Sequence, residues 1–313
     1  MKDKFNREID YLRISITDLC DLRCKYCMPL NGVKKLNHDD ILKPEQIHEI
    51  VSVFASLGIK KVRITGGEPL VRKGLEEIIR QIKSIPGIEE ICLTTNGIKL
   101  KEKAKSLKEC GVDRLNISLD TLDENKYKEL TRFGNLSDVL SGIKEAQKVG
   151  FRNIKINTVL IGGFNENEIN NFIDFASANN FTVRFIELMP IGESKNMSLN
   201  SFISSEIIRS NPRLEFYKED GVSTVYKIKG SNAYIGVISP LSNRFCKECN
   251  RIRLTADGKI KPCLHSSQEI DVSKYHGEKL KEMLIKAIES KPKEHHLELG
   301  SSESTRGMNL IGG

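Results

Sequence analysis

Apolar positions along this chain follow two periods, and the switch between them recurs. Short runs rich in branched and aromatic residues lie at Tyr11 to Ile16, Lys61 to Thr65, Glu89 to Thr94, Asp113 to Leu119, Asn153 to Leu160 and Thr182 to Leu188, and they predict β-strands. The stretches between them carry helical stripes. Ile47, Ile50, Val51, Phe54 and Leu57 mark one face, and Ile169, Phe172, Ile173 and Ala176 mark another at i, i+3, i+4, i+7. Six strand-helix repeats through about residue 190 call for right-handed parallel crossovers, hence an α/β fold. Periodicity leaves open whether the sheet is doubly wound or a partial barrel. After Ile191 the chain turns Ser- and Asn-rich, with one helix near Ser204 to Ser210 and several short strand-like runs. The expected division is residues 1–190 and a smaller C-terminal domain over 191–313.

Composition narrows the function classes. With 313 residues, 39% of them hydrophobic, the chain can bury one large or two unequal cores. No apolar stretch approaches membrane-spanning length, and Met1 to Glu8 is charged, so a cytoplasmic protein without a membrane segment is expected. The net charge of +7 suits an anionic substrate or nucleic acid and selects neither. Aromatics make up only 6%, with no tryptophan and no basic, aromatic-rich stretch, which argues against a single-strand nucleic-acid surface. The lysines of Lys99 to Lys108 and Lys279 to Lys286 read as solvated helix faces.

Six of the eight cysteines fall into two tight groups, a pattern of metal ligation rather than of a disulfide framework. Cys92 and Cys110 sit in apolar patterns and are expected to be buried structural thiols. Cys20, Cys24 and Cys27 follow the first strand and can wrap a cubane iron-sulfur cluster, leaving one iron without a protein ligand. Structural zinc would ask for a fourth ligand that this loop lacks. In the second group, Cys246 and Cys249 are followed by Cys263, with His265 close behind. From spacing alone zinc and an iron-sulfur cluster are equally good readings there.

Basic residues gather near these groups. Arg251 and Arg253 would share one face of a strand beside the second group, and their guanidinium forks suit phosphate oxygens. Arg13 in the first strand, Arg63 in the second, and Lys155 with Asn157 in the fifth add to the same end of the fold.

The CxxxCxxC loop, followed by Gly66-Gly67-Glu68-Pro69 after the second strand, resembles the signature of the radical S-adenosylmethionine (SAM) superfamily. Further motifs narrow the resemblance: Arg13, Ser15, Thr17 and Asp18 before the cysteines, Met28-Pro29 after them, Arg63 ahead of the Gly-Gly turn, Thr94-Thr95-Asn96-Gly97, Leu115 to Asp120, Asn250 to Arg253 inside the second cysteine group, and a terminal Gly312-Gly313. Together, over nearly the whole chain, they resemble the GTP-cyclising family of molybdenum cofactor biosynthesis.

That resemblance implies a partial (βα)6 TIM-like barrel, with functional residues at the C-terminal ends of its strands and a second cluster in the C-terminal domain. It implies two [4Fe-4S] clusters, on Cys20, Cys24 and Cys27 and on Cys246, Cys249 and Cys263. SAM would be held by Tyr26, Gly67, Ser118 and Met189, and GTP by Arg13, Arg63, Thr94, Lys155, Arg251, Ile252 and Arg253. No residue is expected to act as acid or base, because a SAM-derived radical would carry the conversion of GTP to 3',8-cyclo-7,8-dihydro-GTP. A flavodoxin or ferredoxin as electron donor, a cyclic pyranopterin monophosphate synthase as product acceptor, and a monomer or homodimer complete the expectation. The family's tail enters the pocket, whereas the residues of Gly312-Gly313 alone favour a frayed end. Two other readings remain: a radical SAM enzyme with an auxiliary cluster that modifies peptide or RNA, and a zinc-dependent nucleic-acid-binding module.

Overall fold

The computed structural model describes residues 1–299 and 301–312. Its first six strands are β1 (Tyr11–Ser15), β2 (Lys61–Thr65), β3 (Glu90–Thr95), β4 (Arg114–Ser118), β5 (Ile154–Leu160) and β6 (Thr182–Glu187). Each lies within one residue of the span expected from the sequence. They pair in chain order and all in parallel. The crossovers carry α1 (Pro44–Ser56), α2 (Leu75–Lys83), α3 (Leu100–Glu109), the pair α4 (Glu124–Thr131) and α5 (Leu136–Lys148), and α6 (Ile169–Asn179). This is the partial six-stranded barrel.

Helix faces follow the periodicity. In α1, Ile47, Ile50, Val51 and Phe54 are buried against the sheet, and Pro44 opens the helix where its missing N–H costs nothing. Truncating the fully buried Phe54 to Ala would cost about 3–5 kcal/mol. The stripe Ile169, Phe172, Ile173 and Ala176 is likewise buried on α6. Cys92 and Cys110 are buried as expected.

The chain beyond residue 190 returns to both edges of the same sheet. After the single-turn α7 (Glu206–Arg209), shorter than the helix expected there, β7 (Leu214–Asp220), β8 (Ser223–Ile228) and β9 (Tyr234–Ile238) form a meander whose β9 runs parallel to β6. On the far side β10 (Arg251–Leu254) runs parallel to β1, and β11 (Lys259–Lys261) and β12 (Ile270–Asp271) continue outward antiparallel. One twelve-stranded sheet results. Helix α8 (Gly277–Glu289) packs on α1, and α9 (Met308–Ile311) ends the described chain. Among the described residues no helix is long and apolar enough to cross a membrane.

Candidate active site

The concave face of the sheet encloses a cavity of about 470 Å³. Side chains alternate across a strand, so residues two apart line it together. Register stacks them in rows. Arg253, Arg13 and Arg63 are neighbours across β10, β1 and β2, and Thr94, Asn116 and Lys155 across β3, β4 and β5. Ser118, Asn157 and Arg184 make a third row across β4, β5 and β6.

Eight strand-borne cations face this space: Arg13, Lys61, Arg63, Arg114, Lys155, Arg184, Arg251 and Arg253. Only four acidic residues line it with them: Glu68, Asp120, Asp220 and Glu294. The crowding has an electrostatic signature. Burial and neighbouring guanidinium groups lower Arg13 well below the usual arginine range and bring Arg253 and Arg184 down to about 10. Burial, then Arg184 and Arg114, lowers Lys155 to about 7, with Asp220 at 3.8 Å offsetting part of the effect. Arg63 Nε donates to the Tyr11 hydroxyl and its Nη1 to Thr94 Oγ1 at 3.3 Å. A partly dry pocket with this surplus of positive charge is matched by a polyanion.

The first cysteine loop is locked to the Gly-Gly turn by backbone bonds. Gly67 N–H donates to Thr17 O at 2.8 Å and Glu68 N–H to Leu19 O at 2.7 Å. A Cβ on Gly67 would stand 2.4 Å from the Leu19 carbonyl oxygen, so only glycine fits. Glu68 turns inward and accepts from Thr95 Oγ1 at 2.7 Å, Asn96 N–H at 2.6 Å and Leu70 N–H at 3.0 Å. Burial outweighs these bonds and raises its carboxyl to about 7. Tyr26 donates to Asp120 at 2.8 Å, and burial raises Asp120 to about 6. Burial also pushes Cys20 up to about 12, Cys27 up to about 11, and Cys24 well above the ordinary thiol value. Three free thiols raised by burial fit a cluster that brings its own positive charge and displaces their protons.

The second triad is electrostatically different. Burial alone would raise Cys249, but Lys291 and Arg251 outweigh it and bring it down to about 7. Arg7, paired with Asp3 at 2.6 Å, donates to the carbonyls of Cys246 (2.9 Å), Pro292 (2.6 Å) and Lys293 (3.0 Å). His265 lies ring to ring with His295, centroids 4.5 Å apart, and burial followed by His295 lowers it to about 3. Among the described residues no three His, Cys, Asp or Glu side chains are drawn in around a single ion.

The C-terminal tail is anchored. Lys195 Nζ holds the carbonyls of Ser302 and Ser304, each at 3.0 Å, and Arg306 pairs with Asp257 and Glu269 at 2.8 and 2.7 Å. Met308 and Asn309 line the cavity, and Arg253 Nη1 donates to Gly312 O at 2.6 Å. The frayed end favoured by the residues alone is thus replaced, through Gly312, by a bonded one. Gly313 lies outside the described residues.

All six grouped cysteines, Tyr26, Gly67, Ser118 and Met189, and Arg13, Arg63, Thr94, Lys155, Arg251 and Arg253 border this one cavity. Ile252 does not. It is a core residue with no exposed surface, because alternation along β10 sends it to the opposite face from Arg251 and Arg253. Sequence reasoning missed Lys61, Arg114 and Arg184. Each sits two residues from a polar position on the same strand face, so extending that alternation would have found them. Arg7 and Lys291 carried no local signal.

Comparison with known proteins bears on the same residues. Residues 14–176 match the model of the Radical SAM superfamily, and residues 181–297 match Molybdenum Cofactor Synthesis C. The chain is 50% identical to "GTP 3',8-cyclase" of Alkaliphilus oremlandii (strain OhILAs) over 100% of both chains. It is 44% identical, again over 100% of both, to "GTP 3',8-cyclase" of Clostridium botulinum (strain Langeland / NCTC 10281 / Type F). Among solved structures, Streptococcus suis SuiB bound to precursor peptide SuiA superposes with a TM-score of 0.66 at 16% identity, covering 92% of this chain and 66% of that longer one. That likeness is one of fold.

Proposed function

The chain belongs to the GTP 3',8-cyclase family of the radical SAM superfamily, and on that footing we propose how its own residues carry the family's reaction. The substrate is GTP, the product (8S)-3',8-cyclo-7,8-dihydroguanosine 5'-triphosphate, and the pathway molybdenum cofactor biosynthesis. The observation that carries the residue assignment is the single cavity faced by both cysteine triads and eight strand-borne cations.

Cys20, Cys24 and Cys27 would hold the [4Fe-4S] cluster of the superfamily, and Cys246, Cys249 and Cys263 a second one. When bound, the first supplies the electron that cleaves SAM to methionine and a 5'-deoxyadenosyl radical able to take hydrogen from C3' of the ribose. Tyr26, Gly67, Ser118 and Met189 orient SAM beside the first triad. The bare backbone of Gly67 lets a ligand approach closely. Arg13, Arg63, Thr94, Lys155 and Arg253, joined by Lys61, Arg114 and Arg184, hold GTP, whose roughly four negative charges offset the mutual repulsion of the cations. Arg251 lies between this cation field and the second triad, where the guanine end would bind. The anchored tail excludes water from the reacting atoms, which protects a radical from side reactions.

We read residues 1–190 as the SAM-cleaving part and 191–313 as the part that adds the second triad and the tail. A flavodoxin- or ferredoxin-like donor, a cyclic pyranopterin monophosphate synthase as acceptor, a cytoplasmic location and a monomer or homodimer complete the proposal. Membership of this family leaves the nucleic-acid-binding alternative without support. The test is anaerobic incubation of reconstituted protein with dithionite, SAM and GTP, read by mass spectrometry. Formation of 5'-deoxyadenosine with an isomer of GTP, equal to it in mass and separated from it by chromatography, is expected; iron-replete protein that forms neither would overturn the assignment.

A further inference from the structure

Lys291 is 3% exposed, which makes it one of the most buried cations in the chain. An ammonium removed from water needs compensation, and neutral hydrogen-bond acceptors alone return only part of the lost hydration. Two of its protons reach backbone carbonyls: Arg251 O at 2.7 Å and Pro262 O at 2.8 Å. Neither acceptor is charged. Their positions in the chain are informative, because Arg251 follows Cys249 by two residues and Pro262 directly precedes Cys263. One ammonium therefore ties together the two separate segments from which the second triad is built. The ammonium also lines the cavity together with Cys246, Cys249 and Cys263.

We propose that Lys291 is a positioning residue for the second cysteine triad: it pins the Cys249 and Cys263 segments at ligating separation and sets a fixed positive charge beside the group they hold. The inference rests on the reading of Cys246, Cys249 and Cys263 as ligands of a second cluster. It accounts for a buried lysine whose hydrogen-bond acceptors are neutral, since thiolates bound to an iron-sulfur cluster provide the missing negative charge. Fixed charge and hydrogen bonding near the sulfurs are among the protein's means of setting a cluster's potential. A cation beside the cluster favours its reduced, more negative state.

The two effects of Lys291 separate by substitution. Lys291→Met removes both the ties and the charge; Lys291→Gln keeps amide protons for the two carbonyls and removes only the charge. In the anaerobically reconstituted full chain, Lys291→Met is expected to retain about half the parent's iron, the loss falling on one of two cubanes. Lys291→Gln is expected to retain both clusters. Its second cluster, followed by redox titration with electron paramagnetic resonance in a Cys24→Ser background, should be reduced only at a more negative potential than in the Cys24→Ser parent. Parent iron content in Lys291→Met would remove the pinning role, and an unshifted potential in Lys291→Gln would remove the charge role. If Lys291→Met unfolds and loses all iron, Lys291→Gln alone decides. A parent that binds iron for only one cluster would instead refute the two-cluster reading beneath the proposal.

Discussion

Arg253 and Gly312 stand 59 residues apart in the chain and 2.6 Å apart in the structure, guanidinium to carbonyl oxygen. The contact joins a phosphate-type side chain of β10 to the tail. It also occupies one of the donors with which Arg253 would otherwise meet an anion. The tail is thereby part of the wall that shapes the cavity.

Gly312 has φ of +70°, and a Cβ there would lie 2.0 Å from Thr65 Oγ1. Gly312→Ala combines left-handed strain of about 1–2 kcal/mol with that clash, and it should expel the tail. The expected result is at least a tenfold fall in cyclisation at unchanged iron content and unchanged melting temperature, compared by product analysis and calorimetry. Wild-type turnover in this variant would remove the tail from the machinery.

Arg184 lines the cavity near Lys155, and among the described residues it forms no salt bridge, with only a through-space attraction to Asp220. If it holds a phosphate, Arg184→Ala loses a charge-assisted interaction of about 1.5–3 kcal/mol, roughly a 10- to 150-fold weaker affinity for GTP. Both clusters should remain. Equilibrium binding of GTP to reconstituted protein measures the change, and parental affinity would exclude the contact.

Lys155, held at about 7 by burial first and then by Arg184 and Arg114, is largely neutral in free protein at pH 8. An anion favours the ammonium, so GTP binding should take up a proton there and weaken as pH rises through and above about 7. The free protein shows the converse sign. Its folded value lies below the 10.5 of ordinary lysine, so this group costs stability below about pH 7, and the cost is relieved as pH climbs from 7 toward 10.5. Titration calorimetry in two buffers of different ionisation enthalpy reads the uptake, which Lys155→Met should abolish. Equal apparent enthalpies in the two buffers would count against it.

Glu68 accepts hydrogen bonds from three donors in a buried pocket. Glu68→Gln puts an amide donor against at least one of them, and an unsatisfied buried group costs about 1–3 kcal/mol. The melting temperature should drop, and SAM binding should weaken because the Gly-Gly turn is anchored through this side chain. An unchanged melting curve would contradict the geometry.

The six parallel strands were legible because their apolar residues face helices while small and polar residues recur at every second position. That pattern is local, and it fixed each strand to within one residue. Most of the candidate site was legible for the same reason: Arg13, Arg63, Lys155 and Arg253 interrupt apolar runs at alternate positions. Ile252 shows the limit of transferring a motif whole, since alternation sends it into the core. Pairing partners were not legible. Nothing local in Arg251 to Leu254 says that they join β1, and nothing in Arg7 or Lys291 says that each bonds the second cysteine group, because those relations exist only across long stretches of chain.

The union of β1 with β10 has a consequence for synthesis. Tyr11 waits for Arg251, 240 residues later, before its outer edge is covered. At about 5–20 residues per second that interval is roughly 10–50 s, during which the nascent chain presents an open strand edge, a template for wrong pairing. The first cysteine loop is made near the beginning of that interval, and the tail residues that line its cavity are made after its end. Iron loaded during translation would thus meet a half-built container, and maturation is best served by delivery after release from the ribosome.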